Sequence, residues 1–175
     1  MSQTVERHPV RGILAGAVGG LVAAWVMNEF MAGPGKRLSK AVQTPEENQA
    51  QAQPSDEPDA TMKTADAIVQ KVTGGQHLTY AQKQTGGPIV HYSFGALAGA
   101  VYGGVAEYSA FARSGFGTTF GSALFAGADL LAVPAFHLSA PLSETPSETL
   151  ATPFASHLVY GVTTEFVRRM MRKVL

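Results

Sequence analysis

The chain has 175 residues, enough for one ordinary domain, with 45% hydrophobic and only 15% charged residues, well under the usual share. Its zero net charge offers no long-range field for nucleic acid, and its lack of cysteine excludes disulfides, thiol catalysis and Cys-based zinc sites. Mean hydropathy is barely positive because a polar insert, about 33–87, dilutes four apolar stretches.

The first apolar stretch covers about 10–32 and carries Gly12, Gly16 and Gly20 at every fourth position. Gly33, Pro34 and Gly35 stop it. A cleaved signal peptide is the competing reading, since Arg7 and Arg11 precede an apolar core, but Asn28 and Glu29 suit a cleavage region poorly. The insert follows. Its first part, Lys36 to Ala60, is rich in Gln, Pro, Glu and Asp and reads as a poorly ordered linker. In its second part, Met62, Ala65, Ile68, Val69 and Val72 at helical spacing predict a short amphipathic helix ended by Gly74 and Gly75.

The second stretch, about 88–112, opens at Pro88, a residue suited to the first helical position. It carries Gly95, Gly99 and Gly103, and before Glu107 its sole ionisable residue is His91. Its length suits the roughly 20 residues needed to cross a bilayer core. The third, about 116–139, holds Gly117, Gly121, Asp129, Pro134 and His137. Pro134 cannot donate to the Leu130 carbonyl and predicts a kink. A loop with Glu144 and Glu148 leads to the fourth stretch, about 152–171, the least apolar, closed by Arg168, Arg169, Arg172 and Lys173. The expected fold is therefore all-α: a single integral-membrane four-helix bundle over 1–175, with a long polar insert. The glycine rows Gly12–Gly16–Gly20, Gly95–Gly99–Gly103 and Gly117–Gly121 are its helix-packing residues. The second stretch is expected at the centre.

Basic residues in short loops set topology. Arg7, Arg11, Arg113 and the C-terminal cluster put both termini in the cytoplasm and the insert outside, although Lys36, Arg37 and Lys40 argue the other way.

Ionisable groups within a membrane are costly and are functional candidates by default. His91 and His157 each precede an aromatic–Gly pair, in HYSFG and HLVYG, and stand at similar depth in their stretches. Asp129 and His137, about 80° apart on a helix, share a face. These four residues form the candidate ligand or proton site, and each also has a plain reading as an interhelical hydrogen-bonding group. Glu165, three and four residues before Arg168 and Arg169, reads as a structural ion pair, and Glu107 as a solvated boundary residue. His91 and His157 have the chemistry to ligate a haem or a metal, but no spacing selects either, and no cofactor is predicted. No catalytic residues are evident: Gly33-Pro-Gly-Lys-Arg is not a phosphate-binding loop, no GxGxxG occurs, and no nucleophile–base pair stands out.

GILAGAVGG from Gly12, PIVHYSFGALAGAVYGG from Pro88, the Asp129 region and ASHLVYGVTTEFVRR from Ala155 resemble the bacterial YagU-like inner-membrane proteins of unknown function. The resemblance extends to ATMKTADAIVQKVTG of the insert. It implies an inner-membrane location and no activity, ligand or catalytic residue. Two functions follow as expectations: a proton- or cation-responsive membrane protein acting through the His/Asp cluster, or an accessory or scaffolding subunit of a larger membrane assembly. The expected partners are the lipid bilayer and another membrane protein or a second copy, not nucleic acid.

Overall fold

In a computed structural model, residues 8–52, 57–139, 141, 143 and 145–175 are described. Arg7 and Glu144, used above for topology and loop charge, lie outside them. The described residues form helices joined by turns: α1 (Pro9–Ala32), α2 (Pro34–Val42), α3 (Pro45–Ala52), α4 (Ala60–Thr73), α5 (Tyr80–Ala106), α6 (Thr118–Leu124), α7 (Val133–Ala135) and α8 (Ala151–Val174). A 3-10 turn, Ser114–Gly117, leads into α6, and a π-helical segment, Phe125–Ala132, joins α6 to α7. Three helical stretches, Pro9–Ala32, Tyr80–Ala106 and Ser114–Ala135, are long and apolar enough to cross a membrane.

The insert differs from expectation. Lys36 to Ala60 is not all linker: Pro34 and Pro45 stand at first helical positions and start α2 and α3, where a missing N–H costs nothing. The second long helix begins at Tyr80, not Pro88. Thr79 and Gln82 form a capping box there, the Thr79 hydroxyl accepting from the Gln82 N–H and the Gln82 side chain accepting from the Thr79 N–H. Pro88 lies inside α5, and the carbonyl it leaves without a partner belongs to Gln84, an exposed residue. His91 is thus about three turns into its helix rather than one.

The third helix also ends early. His137 takes a left-handed conformation (φ 56), and the Leu138 N–H returns to the Val133 carbonyl, closing the helix at Ala135 rather than near Ser139. Before Pro134 the backbone widens into the π turn, and the Val133 N–H reaches back five residues to the Ala128 carbonyl. The wider turn absorbs the misfit of a proline against its preceding turn.

α1, not the second long helix, is the hub: α5 packs along one side of it and α8 along the other, with α6 against α8. The antiparallel α1–α5 contact runs along glycines. A Cβ on Gly16 would strike the Gly99 carbonyl and sit 2.8 Å from the Gly103 Cα. One on Gly99 would strike the Gly16 carbonyl and sit 2.7 Å from the Gly20 Cα. Gly117 and Gly121 are blocked in the same way by the Gly161 and His157 carbonyls of α8, and Gly19 of α1 lies against the Thr164 carbonyl. Small residues therefore fill the centre, where Ala15, Ala23, Ala24 and Ala106 are fully buried, while Leu14, Leu21, Trp25, Leu97, Val101 and Phe166 face outward.

α4 packs on the start of α5. Asp59 caps α4 by accepting from the Met62 N–H, and Gly74 closes it in the left-handed region. Gly86 meets Ala65 at close range. Asp66 accepts from Lys83 Nζ at 2.9 Å and from the Leu78 N–H at 2.6 Å, and pairs with His77 Nδ1 at 3.1 Å.

Gly99→Leu should separate α1 from α5, because only backbone stands in its way and backbone cannot yield. Thermal unfolding in detergent should show a large loss, or no folded protein. Gly127→Ala is the control: a Cβ there meets nothing within 4 Å, and alanine should leave stability unchanged or raise it by up to about 1 kcal/mol. Equal behaviour of the two variants would refute this packing.

The Lys83, His77 and Leu78 hydrogen bonds hold the Asp66 carboxyl well below its ordinary value of 3.8. A depressed carboxylate contributes stability above its unfolded value and loses it as pH falls. Asp66→Asn should therefore lower amide-exchange protection in α4 at neutral pH, and the wild type should converge on it as the pH drops below 3.8. Equal protection of the two proteins at neutral pH would exclude the role.

Candidate functional site: a His/Asp cavity and a buried ion network

Three of the four candidate residues line one cavity of about 570 Å³ between α1, α5, α8 and the π-helical segment, roofed at one end by Ala60, Thr61 and Thr64 of α4. They are His91, Asp129 and His157. His137 is exposed and lies outside that lining. The π turn carries Asp129 on its wide arc. The Asp129 carboxylate oxygen stands 3.7 Å from His157 Nδ1, just beyond hydrogen-bond reach. His157 Nδ1 lies 2.9 Å from the Pro153 carbonyl, which can only accept, so this nitrogen carries a proton. By the same argument His91 Nε2, 3.3 Å from the Ala24 carbonyl, carries one too. Each imidazole is thus anchored to backbone, and among the described residues no hydrogen bond joins the two rings.

Much of the lining is apolar, including Met27, Val90, Phe94, Leu124, Val133 and Phe136. Tyr160 closes it from α8, its hydroxyl donating to the Gly95 carbonyl at 2.5 Å and so tying α8 to the glycine row of α5. Such a pocket places a carboxylate and an imidazole against a low-dielectric wall, where protonation of either changes the attraction between them strongly. Among the described residues no group of three or more His, Asp or Glu is placed to hold a metal ion.

A second polar centre lies at the opposite end of α8: the Glu165 ion pair with Arg168 and Arg169 expected from the sequence is there, and it extends to Tyr102 and Glu107, which the sequence did not show. Glu165 has no exposed surface at all. It accepts from Tyr102 Oη at 2.8 Å, from Arg168 Nε at 2.7 Å and from Arg169 Nε at 2.6 Å. Glu107 is not solvated: its side chain is 5% exposed. Arg172 grips both its oxygens, at 2.8 and 2.9 Å, and the His8 N–H adds a third donor at 3.3 Å. Arg168 Nη1 lies 3.5 Å from Glu107, joining the two carboxylates into one network across the ends of α1, α5 and α8. Tyr102 stacks on Phe120, with ring centroids 4.2 Å apart, so the third long helix shares the same corner. The arginine partners of Glu107 are 61 and 65 residues away in the chain and His8 is 99, separations that no local motif signals.

Removing one member of a buried ion network leaves the others desolvated and unpaired, which costs about 3–5 kcal/mol. Glu165→Ala should therefore unfold the chain at a much lower temperature than wild type. Arg169→Ala should cost little, because Arg169 is half-exposed and Arg168 still covers Glu165. Comparable losses from the two would contradict this ranking.

Residues 38–166, well over half of the chain, match the family model described as protein of unknown function (DUF1440). No curated protein and no solved structure shows significant similarity to the chain. The matched region starts within α2 and reaches into α8, so it takes in the Asp129–His157 pair and most of the cavity lining. The chain belongs to the DUF1440 family of proteins of unknown function.

Proposed function

We propose that this is a multi-pass protein of the bacterial inner membrane, related to the YagU-like proteins. In this reading all four long helices cross the bilayer, and the Asp129–His157–His91 cavity takes up a proton or a small cation. The observation that carries it is the Asp129–His157 pair, 3.7 Å apart in a pocket whose walls are largely apolar, with His91, Tyr160, Thr61 and Thr64 as its other polar side chains. A carboxylate held in such surroundings needs a positive partner or a proton, and histidine is the side chain whose charge changes near physiological pH.

α8 is the fourth crossing in this reading. Its low hydropathy comes from the face turned inward, where Thr152, Ser156, His157, Tyr160, Thr164, Glu165 and Arg168 are buried. Its outward face carries Phe154, Val162, Phe166 and Met170. The ends of α5 and α8 and the starts of α1 and the third long helix gather Arg11, Arg113, Arg169 and Lys173. Basic residues in short connections weigh toward cytoplasmic termini, against Lys36, Arg37 and Lys40 of the long insert at the other end of α1.

The test is the pH dependence of thermal stability in detergent between about pH 5 and 8. The wild type should show a pH-dependent melting temperature. Asp129→Asn and His157→Ala should flatten it, and His137→Ala, outside the cavity, should keep it. An unchanged profile in Asp129→Asn would remove the basis for a titrating site and leave the accessory or scaffolding role as the better account.

A further inference from the structure

A second pocket, of about 600 Å³, lies where α1 ends and α8 begins. α2 and the N-terminal part of α3 form one wall, and Thr149, Thr152 and Pro153 form the other. Gly35 lets the two walls close, since a Cβ there would come within 3.3 Å of the Thr152 side chain. Two polar atoms buried in this lining lack hydrogen-bond partners among the described residues. Gln43, 8% exposed, accepts from the Ser39 hydroxyl at 2.6 Å through its amide oxygen, but its amide nitrogen has no hydrogen-bond partner. Thr152, 6% exposed, has no partner for its hydroxyl. Buried donors left this way cost stability unless a ligand or water engages them.

The charge around them is one-sided. Lys36 and Lys40, one turn apart on α2, line the pocket, and among the described residues no carboxylate does. Among the described residues neither lysine forms an ion pair. Lys36, Lys40, Gln43 and Thr152 all line this one space, with the Gln43 amide nitrogen and the Thr152 hydroxyl in its buried wall. We propose that this pocket binds a phosphate group, with Lys36 and Lys40 neutralising its charge and Gln43 and Thr152 donating to its oxygens. Two sources supply that chemistry: the headgroup of an anionic phospholipid, since the pocket opens where the apolar stretch of α1 stops, beside Met31, and free phosphate. The phosphate chemistry stands on this lining alone and is independent of the Asp129 cavity.

The full chain purified in detergent would be titrated with phosphatidylglycerol, phosphatidylcholine or inorganic phosphate, reading melting temperature and, by native mass spectrometry, retained lipid. Phosphatidylglycerol or inorganic phosphate should stabilise the wild type, and phosphatidylcholine should not. Stabilisation by phosphatidylglycerol alone identifies a lipid headgroup, and equal stabilisation by inorganic phosphate identifies the free anion. The double variant Lys36→Ala/Lys40→Ala, altered only at exposed positions, should bind the effective probe about 25-fold more weakly, at about fivefold per lysine. Gln43→Met should lose the ligand effect, read as the difference between its own melting temperatures with and without the probe. No stabilisation by either phosphate-bearing probe, or equal stabilisation of wild type and the double-lysine variant, would overturn the proposal.

Discussion

The approach of α1 and α5 is the constraint on which the rest of the structure depends. Along Gly12, Gly16 and Gly20 on one helix and Gly99 and Gly103 on the other, backbone meets backbone with no room for a methyl group, and Gly95 meets the Ala24 methyl. Such closeness turns the usual plan of a helical protein inside out. Large apolar side chains have no space between the helices, so Leu14, Leu21, Leu97 and Val101 point away from them. In water that distribution would leave a wide apolar exterior. In lipid the exterior is already solvated, and close van der Waals contact holds the helices together.

With small residues at the centre, polar groups supply the specificity that a jigsaw of large side chains supplies elsewhere. α8 brings nearly all of them. At one end Glu165 and Arg168 lock to Tyr102 and Glu107. In the middle Tyr160 bonds to the Gly95 carbonyl, beside the glycine contact itself. At the other end His157 faces Asp129. The first centre is saturated with donors and holds the helix ends together. The last is left at 3.7 Å, with space beside it. That contrast is why the proposed function rests on the cavity rather than on the stronger ion network.

Periodicity alone outlines the long helices, and glycines at every fourth position are plain in the sequence. What a row of glycines does not say is which helix it faces. The row from Gly12 faces α5, whereas Gly117 and Gly121 face α8. Helix ends were harder to read. Pro88 has the features of a first helical residue, but the capping box at Thr79 starts the helix eight residues earlier. The π turn around Asp129 follows from how Pro134 is accommodated, and residue type alone does not choose between a kink and a wider turn. His137 separated from the other site candidates because its left-handed backbone ends the helix, which no helical projection anticipates. In the sequence Lys36 and Lys40 stand only as topology charges within an expected linker. Only the fold sets them beside Gln43 and Thr152.

The central claim is that α8 crosses the bilayer with its polar face inward. The chain lacks cysteine, so single substitutions can be labelled with a water-soluble maleimide in intact membranes. Val162→Cys and Phe166→Cys lie on the outward face of α8. They should resist labelling in the membrane and react once detergent removes the lipid, while Lys173→Cys should react whenever the reagent reaches the cytoplasmic side. Ready labelling of Val162→Cys and Phe166→Cys in intact membranes would contradict the account.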